Sequence, residues 1–344
     1  MAVFAGPMVL RDDVVDGWVD VRDGRIAQSG SGEPPEPPVA RGWIAPRPVN
    51  AHTHVGDAAL RARPGKPTTV HELVGPGGWK QRNMATVDDA AFAAGVRQSC
   101  AEMDACGTAA FIDFRESGLA GIQRLAALRG EVGPQAVLMG RPSTNTFEAE
   151  EAGRVLAAAD GIGLSARRDF ERAGDVEAWA DATHSARKPF ALHVSEAVRD
   201  PIDAVLALEP TFLVHATRAQ KQDWTAMADA DVPVVVCPRS NAFHSIKTPL
   251  AAMLDAGLSV SVGTDNAMIA DGNIWSELGQ LSQWVPQLTT PELIRMATWN
   301  ARDLLGLPAA LPARKGSAAD LVVLPENPWA PAPSGKPGMV PRQA

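Results

Sequence analysis

Short apolar runs recur along the chain, and segments with helical spacing separate most of them. Eight such runs fall between residues 42 and 263, at 42–46, 108–114, 135–139, 161–165, 189–193, 211–215, 232–237 and 258–263. Segments such as 90–106, 122–130 and 248–257 lie between them and have the apolar period of a helix. Continuous apolar strands that alternate with helices are typical of a parallel sheet covered by helices. Because eight such strands close a barrel, we predict an α/β fold built on a (β/α)8 TIM-like barrel.

An open, doubly wound sheet is the competing architecture for the same pattern. A sheet of that kind binds its ligands at a switch point in strand order, often through a glycine-rich phosphate loop. No G-x-G-x-x-G follows a predicted strand in this chain. The barrel is therefore the favoured prediction.

Both chain ends have a different pattern, in which turns break up short strands. Residues 18–26 alternate apolar and polar positions around Asp23-Gly24, which predicts a hairpin. Residues 315–324 predict a turn and one more strand, which could return to pair with the N-terminal strands. We therefore predict a small β-domain built from both chain ends, with residues 1–45 plus 313–330, a barrel over 46–312, and an irregular Pro/Gly-rich tail over 331–344.

Residues 58–83 separate the first two barrel strands by an unusually long stretch that contains several Pro and Gly residues. Long connections of this kind in barrel enzymes often cover the active site, so we predict a mobile lid. His71 could touch a substrate from this lid, and a surface position is the alternative.

Charge and composition argue against some classes of binding partner. The 344-residue chain has a formal net charge of −8, which argues against a general nucleic-acid or acidic-membrane partner. No apolar run approaches the length of a membrane span, and the first residues lack a secretory pattern. The three cysteines are not spaced as a zinc ribbon. We expect a cytoplasmic protein that acts on a small molecule, with a homo-oligomer left open.

Four metal-ligand candidates lie at or beyond predicted strand ends. His52 and His54 closely follow the run 42–46, His193 ends the run 189–193, and Asp265 follows the run 258–263. Active sites of TIM barrels lie at this end, and an H-x-H pair in a strand presents both imidazoles on one face. Three His and one Asp suit Zn²⁺ and tolerate Fe²⁺. Each residue has an alternative role alone, such as helix capping by Asp265, but together they predict one divalent metal ion.

Two further side chains are candidates for proton transfer. Glu196 stands three residues after His193 and could shuttle protons between water and a leaving group. The alternative for Glu196 is a helix-start carboxylate favoured by the helix dipole. His215 ends the sixth run and could orient the water, polarise a carbonyl or act as a further ligand, with a structural role as the alternative.

The order of these motifs resembles the amidohydrolase superfamily, and most closely its one-metal branch of cytosine-deaminase-like and chlorohydrolase-like enzymes. The motifs are Asn50-Ala51-His52-Thr53-His54, His193-Val194-Ser195-Glu196, His215, Cys237-Pro238-Arg239-Ser240-Asn241 and Gly263-Thr264-Asp265. The resemblance spans nearly the whole chain, with a minor departure at Arg302, where an alanine is usual. The binuclear branch carries a carboxylated lysine after the fourth strand, and residues 161–167 contain no lysine.

The resemblance assigns roles to the candidates. It implies that His52, His54, His193 and Asp265 hold a single metal, that Glu196 and His215 serve catalysis, and that Asp265 also accepts a proton from the attacking water. It also implies hydrolysis of carbon–nitrogen bonds other than peptide bonds, most closely deamination of a purine, pyrimidine or pterin-like heterocycle. A cyclic-amide or C–Cl hydrolase on the same scaffold, a metal phosphoesterase and a non-catalytic binding protein are the alternatives.

Several cationic side chains follow the predicted strands and could recognise a substrate. Guanidinium groups suit carboxylate or phosphate, so we hypothesise an anionic group on the substrate. Pairing with local acids such as Glu116 is the alternative. The candidates are Arg115, Arg141, Arg218 and Arg239, together with His71 from the lid and His244 beyond the seventh strand.

Overall fold

Five strands form from the first 46 residues. The computed structural model describes residues 1–308, 311–329 and 338–339. The strands are β1 (Ala2–Val9), β2 (Val14–Arg22), β3 (Arg25–Ser31), β4 (Ala40–Arg41) and β5 (Trp43–Pro46). The predicted hairpin is present: β2 and β3 pair antiparallel around Asp23 and Gly24, whose φ angles are 49° and 68°. Two successive positive φ angles match the turn that right-handed strand twist prefers, and Asp-Gly accommodates them.

Parallel strands then form a closed TIM-like barrel. They are β6 (Val49–His54), β7 (Ala110–Arg115), β8 (Gln135–Gly140), β9 (Gly161–Leu164), β10 (Phe190–Val194), β11 (Phe212–His215), β12 (Val234–Val236), β13 (Val260–Val262) and β14 (Asp265–Asn266). Each strand pairs with the next from β6 to β13, and β14 returns to pair with β6. Because β13 and β14 are successive pieces of the eighth strand, the barrel closes.

The first barrel strand was predicted wrongly. Residues 42–46 were assigned to the barrel, but β5 belongs to the N-terminal sheet, and β6 is the first barrel strand. His52 and His54 therefore lie within this strand rather than beyond it. The pattern was misleading because β6 carries buried polar residues in place of a continuous apolar run. The other seven runs each overlap a barrel strand.

Helices follow the strands in sequence and pack against the barrel. In the described residues the α-helices are α1 (Val70–Val74), α2 (Trp79–Met84), α3 (Asp89–Ala105), α4 (Gly118–Ala126), α5 (Ala149–Ala158), α6 (Ala173–Ser185), α7 (Ile202–Leu206), α8 (Lys221–Asp229), α9 (Pro238–Phe243), α10 (Leu250–Asp255), α11 (Ile274–Trp284), α12 (Thr290–Ala297) and α13 (Trp299–Asp303). Short 3₁₀ helices occupy Val55–Leu60 and Arg167–Asp169. Within the described ranges, no helix is both long and apolar enough to cross a membrane.

The predicted lid contains ordered helices. Residues 58–83 span the end of the first 3₁₀ helix, α1 and most of α2, and Leu73 and Trp79 are buried. The mobility of this segment stays a prediction.

The C-terminal strands join the N-terminal ones. Strand β15 (Leu321–Leu324) pairs antiparallel with β5, and β16 (Gly338–Met339) pairs with β15. The resulting seven-stranded sheet has the order β16-β15-β5-β1-β2-β3, with β4 paired to β1. The tail predicted to be irregular thus includes a short strand at 338–339, whereas 331–337 and 340–344 lie outside the described residues. The division into domains stays a prediction.

Candidate active site

The four predicted metal ligands converge at the C-terminal end of the barrel. His52 Nε2 lies 3.3 Å from His193 Nε2 and 3.3 Å from Asp265 Oδ1, and His54 Nε2 lies 3.5 Å from the same carboxylate oxygen. The β6–β7 pairing shifts register between Asn50 and Thr53. Such a bulge re-aims the side chains beside it, which is common next to active sites. Strands far apart in sequence therefore direct three imidazoles and one carboxylate at a single point.

The geometry of this donor set fits a divalent metal. Zinc binds imidazole nitrogen at about 2.0–2.1 Å, so neighbouring donors of a tetrahedral site lie about 3.3 Å apart. Burial lowers the pKa of His52 and His193, and burial with the charge of Lys80 lowers the pKa of His54 to about 3. A lowered pKa favours the neutral imidazole, which is the form that binds a metal. His193 Nδ1 lies 2.8 Å from the carbonyl oxygen of Leu164, to which it can donate, leaving Nε2 free for a metal.

Asp265 is held by its neighbours in an uncommon backbone conformation. Its φ angle is 57°, a value that non-glycine residues rarely adopt and that often marks functional sites. Ser240 Oγ donates to Asp265 Oδ2 at 2.5 Å, and Asn266 Nδ2 donates to Oδ1 at 3.0 Å. Burial raises the pKa of Asp265, but contacts with His52 and the other imidazoles outweigh it and keep this pKa well below its usual range. The anionic form of Asp265 is therefore favoured, and this is the form that can bind a metal ion.

The barrel seam next to the site closes through side chains. Asn50 Nδ2 donates to Thr264 Oγ1 at 2.8 Å, and the Thr264 amide donates to Asn50 Oδ1 at 3.0 Å. A Cβ added to Gly263 would lie 2.6 Å from the amide nitrogen of His52, so only glycine allows this approach. The motifs around His52 and Asp265 therefore fit against each other across the seam.

Glu196 and His215 lie beside the four ligand candidates. Glu196 Oε2 is 3.8 Å from His215 Nε2, and donor atoms of Glu196, His215 and Asp265 all lie within 4.8 Å of one another. Burial raises the pKa of Glu196, and His215 opposes this rise. Helix α7 begins only at Ile202, so Glu196 is not a helix-start carboxylate. A mostly buried carboxyl with a raised pKa suits proton transfer.

Hydrogen bonds fix the loop that carries Glu196. The Ser195 amide donates to Asp200 Oδ2 at 2.6 Å, and the Asp200 amide donates back to Ser195 Oγ at 2.9 Å. Thr217 Oγ1 donates to the carbonyl oxygen of Glu196 at 2.6 Å. The loops after β10 and β11 thus brace each other and direct Glu196 toward His215.

The four predicted substrate-binding arginines have different surroundings. Arg115 is buried and contacts Asp113 and Glu116, and Arg239 pairs with Glu277 and Asp271 at 2.7 Å each. These two arginines fit the alternative of pairing with local acids. Arg218 is exposed beyond β11. Arg141 is partly exposed, and its Nη1 lies 3.3 Å from Glu116 Oε1 at the barrel mouth.

The two predicted substrate-binding histidines also differ. His71 is exposed on α1, and none of its contacts in the described residues reaches the ligand candidates. His244 is buried, and its Nδ1 lies 2.7 Å from the carbonyl oxygen of Thr68 in the predicted lid. Its Nε2 is also buried and has no hydrogen-bond partner within the described parts of the chain. His244 thus has a buried nitrogen without a hydrogen-bond partner in the described residues, whereas His71 is exposed.

A buried charge cluster beside His54 was missed by the sequence analysis. Lys80 Nζ lies 2.6 Å from Asp57 Oδ2 and 2.6 Å from Glu116 Oε1, and Glu116 Oε1 lies 3.0 Å from His54 Nδ1. Burial raises the pKa of Asp57 to about 7, although Lys80 opposes this rise. Glu116 was considered only as a possible partner of the arginines, although its place after a predicted strand end could have marked it as a site residue. Lys80 had no such signal, since only the folded position of α2 brings it here.

Comparisons with known proteins identify the family of this chain. The family model described as "Amidohydrolase family" matches residues 131–335. A putative aminohydrolase from Archaeoglobus fulgidus is 34% identical over 239 residues, which cover 68% of this chain and 67% of that protein.

Solved structures share the fold at low sequence identity. An adenosine deaminase from Xanthomonas campestris with bound zinc is 20% identical with a TM-score of 0.74, and the match covers 97% of this chain and 87% of that one. An atrazine chlorohydrolase from Arthrobacter aurescens complexed with zinc is 17% identical with a TM-score of 0.71, and the match covers 94% and 87%.

Proposed function

Because the chain belongs to the amidohydrolase family, we propose that it is a metal-dependent aminohydrolase that deaminates a heterocycle. Water would replace an exocyclic amino group of a purine, pyrimidine or pterin-like ring, with release of ammonia. The observation that carries the proposal is the convergence of His52, His54, His193 and Asp265 next to Glu196. We also propose that the seven-stranded sheet forms a small domain beside the barrel.

The four converging side chains would hold one divalent ion, with Zn²⁺ favoured and Fe²⁺ as the alternative. When bound, such an ion lowers the pKa of water and so supplies a nucleophile near neutral pH. Residues 165–167 after β9 are Ser-Ala-Arg, so this strand end offers no lysine for a second ion. Zinc in the named structures supports the choice of metal.

Glu196 and Asp265 would divide the proton transfers. Hydrolytic deamination removes two protons from water and adds one to the departing amino group, whose nitrogen leaves as ammonia. We assign one transfer to Glu196, which takes a proton at its carboxylate and returns it to the leaving nitrogen. Asp265 would accept the second proton, which then passes to the ring nitrogen beside the attacked carbon, so that the neutral oxo-heterocycle and ammonia leave and both carboxylates are restored. His215, whose Nε2 faces Glu196 at 3.8 Å, orients the reacting groups.

Arg141 and His244 are the favoured contacts for the substrate. Arg141 is partly exposed at the barrel mouth, and its positive charge is one of the causes that lower the pKa of His193. It would pair with an anionic group of the substrate. His244 Nε2 would accept or donate one hydrogen bond, since its other nitrogen faces Thr68. Arg115 and Arg239 are better explained as partners of buried acids.

Hydrolysis of a C–Cl bond or a cyclic amide on the same scaffold is the second candidate. The chlorohydrolase among the structural neighbours supports it, since one fold hosts several reactions. Release of chloride, or ring opening without ammonia, would identify it.

The test is a product assay on protein of known metal content. We expect about one metal ion per chain and release of ammonia from at least one purine, pyrimidine or pterin in a substrate screen. Glu196→Gln is the matched control, because it retains the shape of the side chain and removes its proton transfer. Two or three ions per chain with phosphate release would instead indicate a phosphoesterase and contradict the proposal.

A further inference from the structure

Lys80 is a buried lysine that reaches the barrel mouth from outside the barrel. It lies on α2, in the long connection between β6 and β7, and only 11% of its side chain is exposed. Its ammonium group lies 2.6 Å from Asp57 Oδ2, 2.6 Å from Glu116 Oε1 and 3.4 Å from Asn266 Oδ1. The contacts with Glu116 and Asn266 are hydrogen bonds, and the contact with Asp57 is an ion pair.

Two of the three oxygen partners contact candidate metal ligands. Glu116 Oε1 lies 3.0 Å from His54 Nδ1, on the opposite side of the ring from Nε2. Asn266 Nδ2 donates to Asp265 Oδ1 at 3.0 Å. Two chains of contacts therefore run from one ammonium group to His54 on β6 and to Asp265 on β14.

We propose that Lys80 is a positioning residue for the metal site. Its ammonium holds Glu116 against His54 Nδ1, which directs His54 Nε2 toward His52, His193 and Asp265. A carboxylate on the far nitrogen fixes the tautomer and the ring orientation of a metal-binding histidine. The inference rests on the proposed function, because it presupposes that these residues bind a metal.

The contact with Asn266 sets the direction of the amide group. Lys80 donates to Asn266 Oδ1, which leaves the Nδ2 group to face Asp265. Without a donor at Oδ1 the amide can turn over, and its oxygen would then oppose the carboxylate of Asp265. Lys80 thus determines that the Nδ2 group of Asn266, and not its Oδ1 atom, faces Asp265.

Loss of Lys80 alone should leave the fold intact. Glu116 keeps contacts with Arg115 and Arg141. Helix α2 stays attached through buried Trp79 and a hydrogen bond from Arg63 Nη1 to Asn83 Oδ1 at 3.1 Å. The defect should therefore appear in metal binding rather than in folding. It also follows that the position of α2 and the geometry of the metal site depend on each other.

The test compares Lys80→Met with Lys80→Arg and with a control in the same segment, Lys66→Met. Lys66 Nζ donates to the carbonyl oxygens of Arg61 and Arg63 and lies 5.6 Å from the centre of the Trp79 ring on α2, so this control also shows whether a general disturbance of α2 is enough. The readouts are the zinc dissociation constant from chelator competition and the visible spectrum of the Co²⁺-substituted protein. We expect Lys80→Met to weaken zinc binding about 10- to 100-fold and to alter the Co²⁺ spectrum. Lys80→Arg should restore part of both, and Lys66→Met should change neither.

Each outcome bears on one of the two proposals. A folded Lys80→Met protein with wild-type zinc affinity and Co²⁺ spectrum would overturn the role of Lys80 while leaving the proposed function in place. If Lys80→Met does not fold, Glu116→Gln and Asn266→Ala replace it, and wild-type metal binding by both would overturn the role equally. A wild-type protein that binds no metal would overturn the proposed function, and the role of Lys80 with it.

Discussion

Two glutamates lie at the mouth of the barrel, and their surroundings shift their pKa values in opposite directions. Glu116 follows β7, and although burial raises its pKa, Lys80, His54 and Arg115 outweigh burial and lower the pKa well below its usual range. Glu196 follows β10, where burial dominates and His215 is the main opposing group, so its pKa is raised. Ion pairs with Lys80 and Arg115 therefore favour the anionic form of Glu116, whereas within the described residues Glu196 forms no ion pair with a lysine or arginine.

The contrast divides the barrel mouth into two regions with different tasks. The region after β6 and β7 is dense in paired charges and holds side chains in place. The region after β10 and β11 has its own ion pairs, Arg168 with Asp200 and Arg199 with Asp223, but its Glu196 stands apart from them and has a raised pKa. Two acidic groups with separated pKa values are the usual arrangement for acid–base chemistry at one pH. Substitutions of Glu116, Glu196 and their neighbours are therefore the most direct tests of the difference between the two glutamates.

The largest expected effect is on turnover in Glu196→Gln. We expect kcat to fall by about 10²- to 10⁴-fold, because the amide cannot take or return a proton. Metal content should stay at the wild-type value, which elemental analysis of the same sample measures. An active Glu196→Gln protein would remove the assigned difference between the two glutamates.

Glu116→Gln should show the complementary defect. We expect zinc affinity to fall about 10- to 100-fold, since the carboxylate next to His54 Nδ1 is lost, with a smaller loss of kcat in the fully loaded protein. Chelator competition and steady-state kinetics at saturating zinc measure the two quantities. Loss of kcat equal to that of Glu196→Gln, with normal metal affinity, would contradict the division of tasks.

Arg141→Met should affect substrate binding more than turnover. We expect KM for an anionic substrate to rise about 10-fold, as for the loss of a hydrogen bond to a charged group, with kcat nearly unchanged. A neutral analogue of the same substrate is the control, and its KM should barely move. An equal effect on both substrates would assign Arg141 to the support of Glu116 instead.

The smallest expected effect is that of Ser240→Ala. Ser240 Oγ donates to Asp265 Oδ2, and its removal leaves Oδ1 still bound by Asn266. We expect zinc affinity to fall about 5-fold, the equivalent of roughly 1 kcal/mol for one hydrogen bond. A loss as large as that of Glu116→Gln would show that Asp265 depends more on Ser240 than on the chain through Asn266.

Much of the barrel and the convergence of the ligand candidates could be predicted from local pattern. Strand ends of a barrel meet at one face, so His193, His215 and Asp265 could be placed together without knowing any contact. The prediction was wrong at β6, because a strand that buries His52, His54 and Asn50 has no continuous apolar run. Strand β6 supplies two of the ligand candidates, and it was the barrel strand that the apolar pattern failed to predict.

Partners distant in sequence could not be predicted. Arg239 pairs with Glu277 and Lys80 with Glu116, and neither pairing leaves a periodic trace, because it depends on how separate elements pack. For Arg115, pairing with the adjacent Glu116 was foreseen as an alternative, whereas its contact with Asp57 depends on the fold in the same way. Position relative to strand ends was predictable, whereas the use of each charge was not.

The seam joined by Asn50 and Thr264 has a consequence for the order of folding. These residues are 214 positions apart in the sequence. Contacts at such a separation form late in folding, because closing so long a loop costs much chain entropy. His52 and Asp265 lie next to this seam on its two sides, so the unfolded chain and any open barrel intermediate lack the complete ligand set. A metal that binds only the closed barrel stabilises that state by mass action. Metal supply should therefore raise the yield of refolding by trapping chains in which the first and last strands have met.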